Sequence, residues 1–586
     1  MQPGKSDSDN LIHPAGNGFN LLKNIRALPR PVLLGGLLIV LATLAAYWPV
    51  FSAGFIWDDD VYVTQNALLT APDGLKRIWF SAHHQSQYFP LVFTTLRFEH
   101  ALWGLNPLGY HVVNVALHGI NALLVWTVLR RLALPGAWLA AALFALHPVQ
   151  VETVAWITEL KNTESTFFYL LAWLAWLAWL ALIEKGSWRL YALTFLLYLL
   201  ALFAKTTACT LPAVMLLTLW LQKKPINLQR MIQVAPFLVT GVAMGLFSIW
   251  WEKHLGNYQP RYGLTFSWLE RLLIATRAVW FYAGKLIWPV NLNFSYPRWD
   301  LNCSNPWQYI GMMGCAGVAA LLWLWRRTCG RGPAVAVFFF AAVLSPMLGF
   351  IPLFTFYYTF VADHYQYLAC VGPIALVAGV SAHFSDKWRI NPSARQATIF
   401  ILLLVLAILT WRQAGAYQNL ETLWRNTLAK NPASWMAHTN LGRLLTAQGN
   451  LAEAEMHYRT ALQLKSDNED VHYNYGNMLV KAGRLDEAVT QYRRALPLNP
   501  TDPELYNNLG VVLYQEHRLD EAITCFQAAI HCQPDYSDAH FNLGNALFLE
   551  HKLDEAVGEY REALRLEPDS VAIQNRLRAL GVPTNQ

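Results

Sequence analysis

PVLLGGLLIVLATLAAYWPVFSAGFIWDDD, residues 31–60, sets an apolar run directly before three consecutive aspartates. A helix needs about 20 apolar residues to cross hydrocarbon, and residues 31–51 supply them. Asp58, Asp59 and Asp60 then follow Trp57 at the exit. Charge this dense beside lipid is costly unless it faces water, pairs with a cation or serves a reaction. A carboxylate cluster at a membrane surface invites chemistry on a membrane-borne substrate.

Similar runs begin near Tyr110, Ala137, Phe167, Trp188, Cys209, Met231, Trp307, Ala334, Tyr365 and Ala397. With 55% of its 586 residues hydrophobic and 14% charged, the chain is expected to be a multispan membrane protein. Basic residues flank alternate runs: Lys5, Lys23, Arg26 and Arg30 before the first, Arg130 and Arg131 after the second, Lys185 and Arg189 after the fourth, then Lys223, Lys224 and Arg230. The stretch 268–288 is interrupted by Arg271, Arg277 and Lys285, and reads as an amphipathic segment lying at the interface. Eleven crossings then keep the basic loops on one side. By the positive-inside rule the tail 1–30 is cytoplasmic, and the loop 52–106 and everything after residue 412 lie outside. The first run exceeds the core of a signal peptide and reads as a retained anchor.

The net charge of +6 sits largely in these short loops, so orientation explains it and nucleic acid is not an expected partner. The seven cysteines show no metal spacing. Cys525 and Cys532 lie seven apart on one expected helix, roughly 10 Å by helical rise and too far to bridge. Neither a disulfide framework nor a metal site is proposed.

After residue 412 a 34-residue period appears. Gly442, Gly476, Gly510 and Gly544 keep it, as do Ala454, Ala488, Ala522 and Ala556. Tyr458, Tyr492, Phe526 and Tyr560 follow the same step, and Pro500, Pro534 and Pro568 close three units, Ser466 standing in the first. This resembles the tetratricopeptide repeat, in which small residues let paired helices approach and an aromatic ring fills the gap. The chain is therefore expected to be all-α: a membrane domain over 31–412, a linker helix over 413–432, four repeats over 433–568, and a capping helix and tail over 569–586. Asn440, Asn474, Asn508 and Asn542 form one further column. It reads either as an amide ladder that holds an extended peptide or as consensus packing.

The membrane half carries more pointed patterns. His111, Asn114, His118 and Asn121 are spaced three, four and three, one polar face on the second span. In hydrocarbon such a face turns toward the bundle, lining a wet cavity or forming a neutral structural network. The two histidines lack a third ligand nearby, so zinc is not expected. At the outer end of the third span stands HPVQVETVAW, residues 147–156, with His147 and Glu152; Glu152 and Glu159 have the alternative reading of a solvated helix face.

Together with FIWDDD (55–60), YFPLVFTTLRFEHALWGLNPLGY (88–110), HVVNVALH (111–118), NLNFSYP (291–297) and ADHYQYL (362–368), that motif resembles the transmembrane and tetratricopeptide-repeat (TMTC) O-mannosyltransferases. The resemblance covers nearly the whole chain. It implies a C-type glycosyltransferase (GT-C), a multispan enzyme that takes a sugar from a polyprenyl phosphate and uses a carboxylate in the first outside loop. Asp58 or Asp59 is then the candidate base, with Asp60, His111, Asn114, His118, His147 and Glu152 as supporting residues. The chain departs from the family pattern at Phe89, Leu160 and His364, where relatives commonly carry arginine. It either binds the phosphate differently, titrates through His364, or has lost activity.

The residue types suit the chemistry in their own right. A hydroxyl attacking an anomeric carbon needs a carboxylate within hydrogen-bond reach. A departing polyprenyl phosphate needs cations, and Lys161, Lys205, His364 and Arg277 stand at or near outer ends; ordinary snorkelling is the alternative for Lys205. The donor is thus a lipid-linked sugar and the acceptor a protein or peptide delivered by the repeats. No other cofactor is expected, while calcium coordination or a helix start remains open for the triple aspartate. A membrane-anchored scaffold that uses its repeats to gather proteins is the alternative, and a transporter a third reading. The short repeat array leans toward a bacterial cytoplasmic membrane, with the endoplasmic reticulum as the other setting.

Overall fold

The structure, a computed structural model, describes residues 29–81, 87–182, 187–254, 264–351 and 354–583. The described residues are helical or irregular, without a strand. Of the basic flanks, Lys5, Lys23, Arg26 and Lys185 lie outside the described residues, as does nearly all of the tail 1–30.

The central pair of the membrane domain is Pro107–Arg131 against Leu160–Leu182, with Trp188–Ala204 packed on the latter. Pro107 opens the first of these at a position where its missing N–H is harmless, and Asn106 caps it by accepting from Leu108 N at 3.1 Å. Arg130 and Arg131 close it where the helix dipole favours cations.

Length and apolarity qualify five helices as spans, or six if one bent pair counts once, with four shorter apolar helices beside them. These helices do not establish the count of eleven crossings. The expected third span is bent. Ala137–Leu146 breaks at His147 and resumes at a 54° angle over 148–155, because Pro148 has no N–H and forces His147 into extended backbone (φ −77°, ψ 128°). A second extended residue, Trp156, and a short turn at Ile157–Glu159 follow before the long helix Leu160–Leu182 begins. Residues 147–159 are thus a chain of short turns inside the bundle, the second half of a bent pair that makes either a broken span or a re-entrant loop. The helix Trp268–Ile287 is amphipathic and is not among those apolar enough to cross.

The repeats form four antiparallel helix pairs: Trp435–Gln448 with Leu451–Leu464, Glu469–Lys481 with Leu485–Ala495, Pro503–Gln515 with Leu519–Cys532, and Ser537–Leu549 with Leu553–Leu566. Val571–Ala579 covers the end through buried Ile573 and Leu577. Each periodic glycine meets its aromatic partner face on. A Cβ at Gly476 would lie 2.5 Å from the Tyr492 ring, and one at Gly510 2.6 Å from Phe526. Gly476→Ala is therefore expected to overpack the second repeat by about 1–3 kcal/mol. An unchanged unfolding midpoint for that variant would show that the ring, not the glycine, sets the helix spacing.

The linker helix Leu420–Lys430 and the repeats are seated on the loops that carry Trp57 and Phe294. Trp424 is buried and meets Trp57 and Phe294 edge-on, with ring centroids 5.1 and 5.4 Å away. Asn431 donates to Ser295 O at 3.0 Å, and Lys430 to Leu292 O at 2.6 Å. Farther along, the Lys465 ammonium lies 3.5 Å from the centroid of Tyr357 and 4.7 Å from that of Trp435. These contacts set the first repeat directly above the aspartate loop.

Candidate functional site

A cavity of about 480 Å³ opens where the aspartate loop and the 147–159 turns meet the first repeat. Trp57, Asp58, Asp60, Glu152, Glu159, Lys161, Lys205 and His364 line it from the membrane side, and Met436, Asn440 and Arg443 from the repeat side.

The three aspartates have three different settings. Trp57 adopts a left-handed backbone (φ 50°), a conformation costing a bulky residue about 1–2 kcal/mol, held here by the ring contacts with Trp424 and Phe294. The turn leaves Asp58 at the cavity with Oδ1 without a hydrogen-bond partner. Burial pushes the Asp58 carboxyl up to about 6, with Lys161 pulling the other way. Asp59 is fully buried. Its Oδ2 accepts from Ile56 N at 2.8 Å, and its Oδ1 accepts from Thr158 N at 2.9 Å and from the Thr158 hydroxyl. Burial raises it to about 7. Asp59 therefore clamps the loop to the 157–159 turn and does not reach the cavity. Asp60 accepts from Val61 N at 2.8 Å and sits at the cavity edge.

Opposite Asp58 lies a charge hub. Glu159, fully buried, has Lys161 Nζ 2.9 Å from Oε1 and Lys205 Nζ 3.6 Å from Oε2. His364 stands between two carboxylates, Nδ1 3.1 Å from Glu152 and Nε2 3.8 Å from Glu159. Asn162 donates to Glu159 Oε2 and accepts from Lys205 Nζ at 2.8 Å. Glu152 Oε2 accepts from His364 N at 3.1 Å. Neither Glu152 nor Glu159 is a solvated helix face; both are buried and ion-paired. Lys161 and Lys205 are buried too, so Lys205 does not snorkel to the interface.

Several expected site residues stand elsewhere. The polar face of the second span belongs to a structural network instead of a wet cavity: Asn114 donates to Trp156 O and Ile157 O at 3.2 and 3.3 Å, and Asn121 to Thr163 O at 2.8 Å. His118 lies 2.8 Å from the Tyr367 hydroxyl through Nδ1 and donates from Nε2 to Ala145 O at 3.0 Å. His111 is fully buried and is not among the cavity residues. His147 holds the helix break: its Nδ1 accepts from Val149 N at 3.4 Å and its Nε2 donates to Leu286 O at 3.0 Å. The Arg277 guanidinium stacks 4.5 Å over Trp299, away from the hub. In the asparagine column only Asn440 reaches the cavity. Asn474 donates to Asp470 O, Asn508 to the Tyr473 hydroxyl and Asn542 to Asn507 Oδ1, at 2.7, 2.8 and 3.0 Å.

Sequence reasoning missed Glu159 as the hub, Thr158 as the clamp, and Asp363, which accepts from the Tyr296 hydroxyl at 2.9 and 3.0 Å and is pushed well above the usual carboxylate range by burial and Glu152. One signal was available: Glu159 and Lys161 lie two residues apart at the entry of a long apolar run, where unpaired charge does not survive.

The comparisons with known proteins agree with the resemblance. Models described as TPR repeat match residues 442–482 and 476–517, and one described as Tetratricopeptide repeat matches 507–571. The Drosophila melanogaster "Protein O-mannosyl-transferase Tmtc1" is 27% identical over 524 residues, covering 71% of this chain and 60% of the fly protein. The human "Protein O-mannosyl-transferase TMTC4" is 26% identical over 487 residues, covering 70% and 63%. The chain thus spans about three fifths of the length of these relatives. Among solved structures, YrrB, titled a TPR protein with an unusual peptide-binding site, is 22% identical over 34% of this chain and 97% of its own, with a TM-score of 0.25. The chain is an integral membrane relative of the TMTC proteins with C-terminal tetratricopeptide repeats.

Proposed function

We propose that this relative of the protein O-mannosyl-transferases is a glycosyltransferase that moves a sugar from a polyprenyl phosphate to a protein hydroxyl on the extracytoplasmic side. The observation that carries the reading is one cavity holding both Asp58, with an unpartnered carboxylate oxygen, and the Lys161, Lys205 and His364 cluster.

The acceptor hydroxyl attacks the anomeric carbon as the bond from that carbon to the phosphate oxygen breaks. Asp58 takes the hydroxyl proton. The negative charge collecting on the leaving phosphate is met by Lys161 and Lys205, whose partial neutralisation by Glu159 holds them in place before the donor arrives. Asn162 steers Lys205 through its 2.8 Å hydrogen bond. The repeats lead the acceptor to the cavity mouth, and the N-terminus is cytoplasmic, the orientation that the basic flanks favour under the positive-inside rule. A purely scaffolding chain has no use for a buried hub of this kind, because ion pairs held out of water seldom stabilise a fold better than apolar packing.

Purified protein incubated with a panel of polyprenyl-phosphate sugars and an unstructured Ser/Thr peptide is expected to glycosylate the peptide from one donor. Lys205→Met is expected to lower that rate about 10²-fold. Failure of every donor, or a rate unmoved in Lys205→Met, removes the reading.

A further inference from the structure

The four repeats differ at one position in a way that packing does not explain. The residue after the periodic glycine meets the aromatic ring of its own unit in the second and fourth repeats. In the second repeat Asn477 accepts from the Tyr492 hydroxyl at 2.6 Å, and in the fourth Asn545 accepts from Tyr560 at 2.9 Å. In the third the ring is Phe526, with no hydroxyl, and the position is Val511. The rule is plain: a tyrosine receives an asparagine, a phenylalanine an apolar residue.

The first repeat breaks it. Tyr458 is present, yet the position is Arg443, and the tyrosine hydroxyl lies 3.5 Å from Thr446 Oγ1. The positions equivalent to Thr446 in the other repeats are Val480, Tyr514 and Phe548. A substitute partner therefore serves the ring only where residue 443 is needed for something else. Arg443 is exposed, lines the cavity, and has neither a hydrogen-bond nor an ion-pair partner among the described residues.

Resting on the transfer reading above, we propose that Arg443 is a specificity-determining residue that selects acceptor segments carrying a carboxylate beside the hydroxyl to be modified. Met436, Asn440 and Arg443 fall on one face of the helix Trp435–Gln448 at steps of four and three, and this face is the roof over Asp58. A segment that reaches Asp58 under this face passes Asn440 and Arg443, which line the same cavity. A guanidinium without an acidic partner there forms a bidentate pair with a carboxylate. It also offsets the repulsion that Asp58, Asp60 and Glu152 impose on an acidic segment. The donor phosphate already has Lys161 and Lys205 on the opposite wall.

The test uses full-length protein in detergent micelles and two fluorescently labelled Gly/Ser/Thr peptides that differ only by Glu or Gln beside the central Thr. Anisotropy is expected to show the Glu peptide binding about tenfold tighter. Arg443→Gln is expected to abolish that difference, and Arg443→Glu to reverse it in favour of a Lys-bearing peptide. Because Arg443 is exposed, these variants keep the fold. Equal affinity for both peptides in the wild type, or a preference that survives Arg443→Gln, overturns the assignment. So does a raised donor KM with peptide preference unmoved, which would give Arg443 to the phosphate. Binding requires no turnover, so a preference kept in Asp58→Asn upholds Arg443 even if no donor is ever used.

Discussion

Asp58→Asn is expected to lower sugar transfer about 10³-fold while leaving the protein folded and able to bind donor. Asn keeps the size of the side chain but cannot accept the hydroxyl proton. Asp58 Oδ1 has no hydrogen-bond partner to lose, and Asn keeps an oxygen that can accept from the Thr158 side chain. The pH profile supplies an independent signature. With its carboxyl pushed up to about 6 by burial, Asp58 is protonated and idle below that value and ionised above it. Wild-type kcat/KM is expected to rise about tenfold per pH unit below 6 and to level off above it. In Asp58→Asn that limb disappears with the activity. Asp59→Asn behaves differently: its one carbonyl oxygen serves either Ile56 N or the two Thr158 donors, and its NH2 meets the remaining donors as a donor, so the unfolding temperature falls and activity follows it down. A large rate loss in Asp59→Asn at unchanged stability, with Asp58→Asn near wild type, would exchange the roles assigned here.

Glu159→Gln is expected to be the most destabilising single change in the membrane domain, by about 3–5 kcal/mol. It leaves Lys161 and Lys205 buried without the one carboxylate that stands at ion-pair distance from them among the described residues, since Glu152 pairs with His364. Heating followed by size-exclusion chromatography is expected to show a midpoint lowered by roughly 10 °C. Adding Lys161→Met removes one of the stranded charges and is expected to restore much of that loss, since two neutral side chains of similar volume suit a buried site. A single variant as stable as wild type would mean that water, not Glu159, solvates the lysines. A double variant no better than the single one would place the damage in packing, outside the charge balance.

Much of the architecture was legible because its signals are local. The 34-residue step of Gly442, Gly476, Gly510 and Gly544 announces repeats, since each unit buries its ring against its own glycine and so must carry both within a short stretch. Apolar length announces a membrane. Span counting did not foresee the 54° break at His147-Pro148; a hydropathy window registers how apolar a stretch is and not whether it bends.

The site was legible in part, and the limit has one cause. Residue type and position in the chain were enough to nominate Asp58, Asp59, Lys161, Lys205 and His364. They were not enough to separate Asp58 from Asp59, because neighbouring residues on an irregular turn have no periodicity to assign them faces. The left-handed backbone at Trp57 and the hydrogen bonds from Thr158, 99 residues further on, make that choice. The same holds for Arg443, whose meaning depends on a first repeat docked over the aspartate loop. Covalent order determined a helical membrane protein with a repeat array and a short set of reactive groups. Which of those groups share one cavity was decided only when distant segments packed together, because charges buried side by side must find their partners in space and not along the chain.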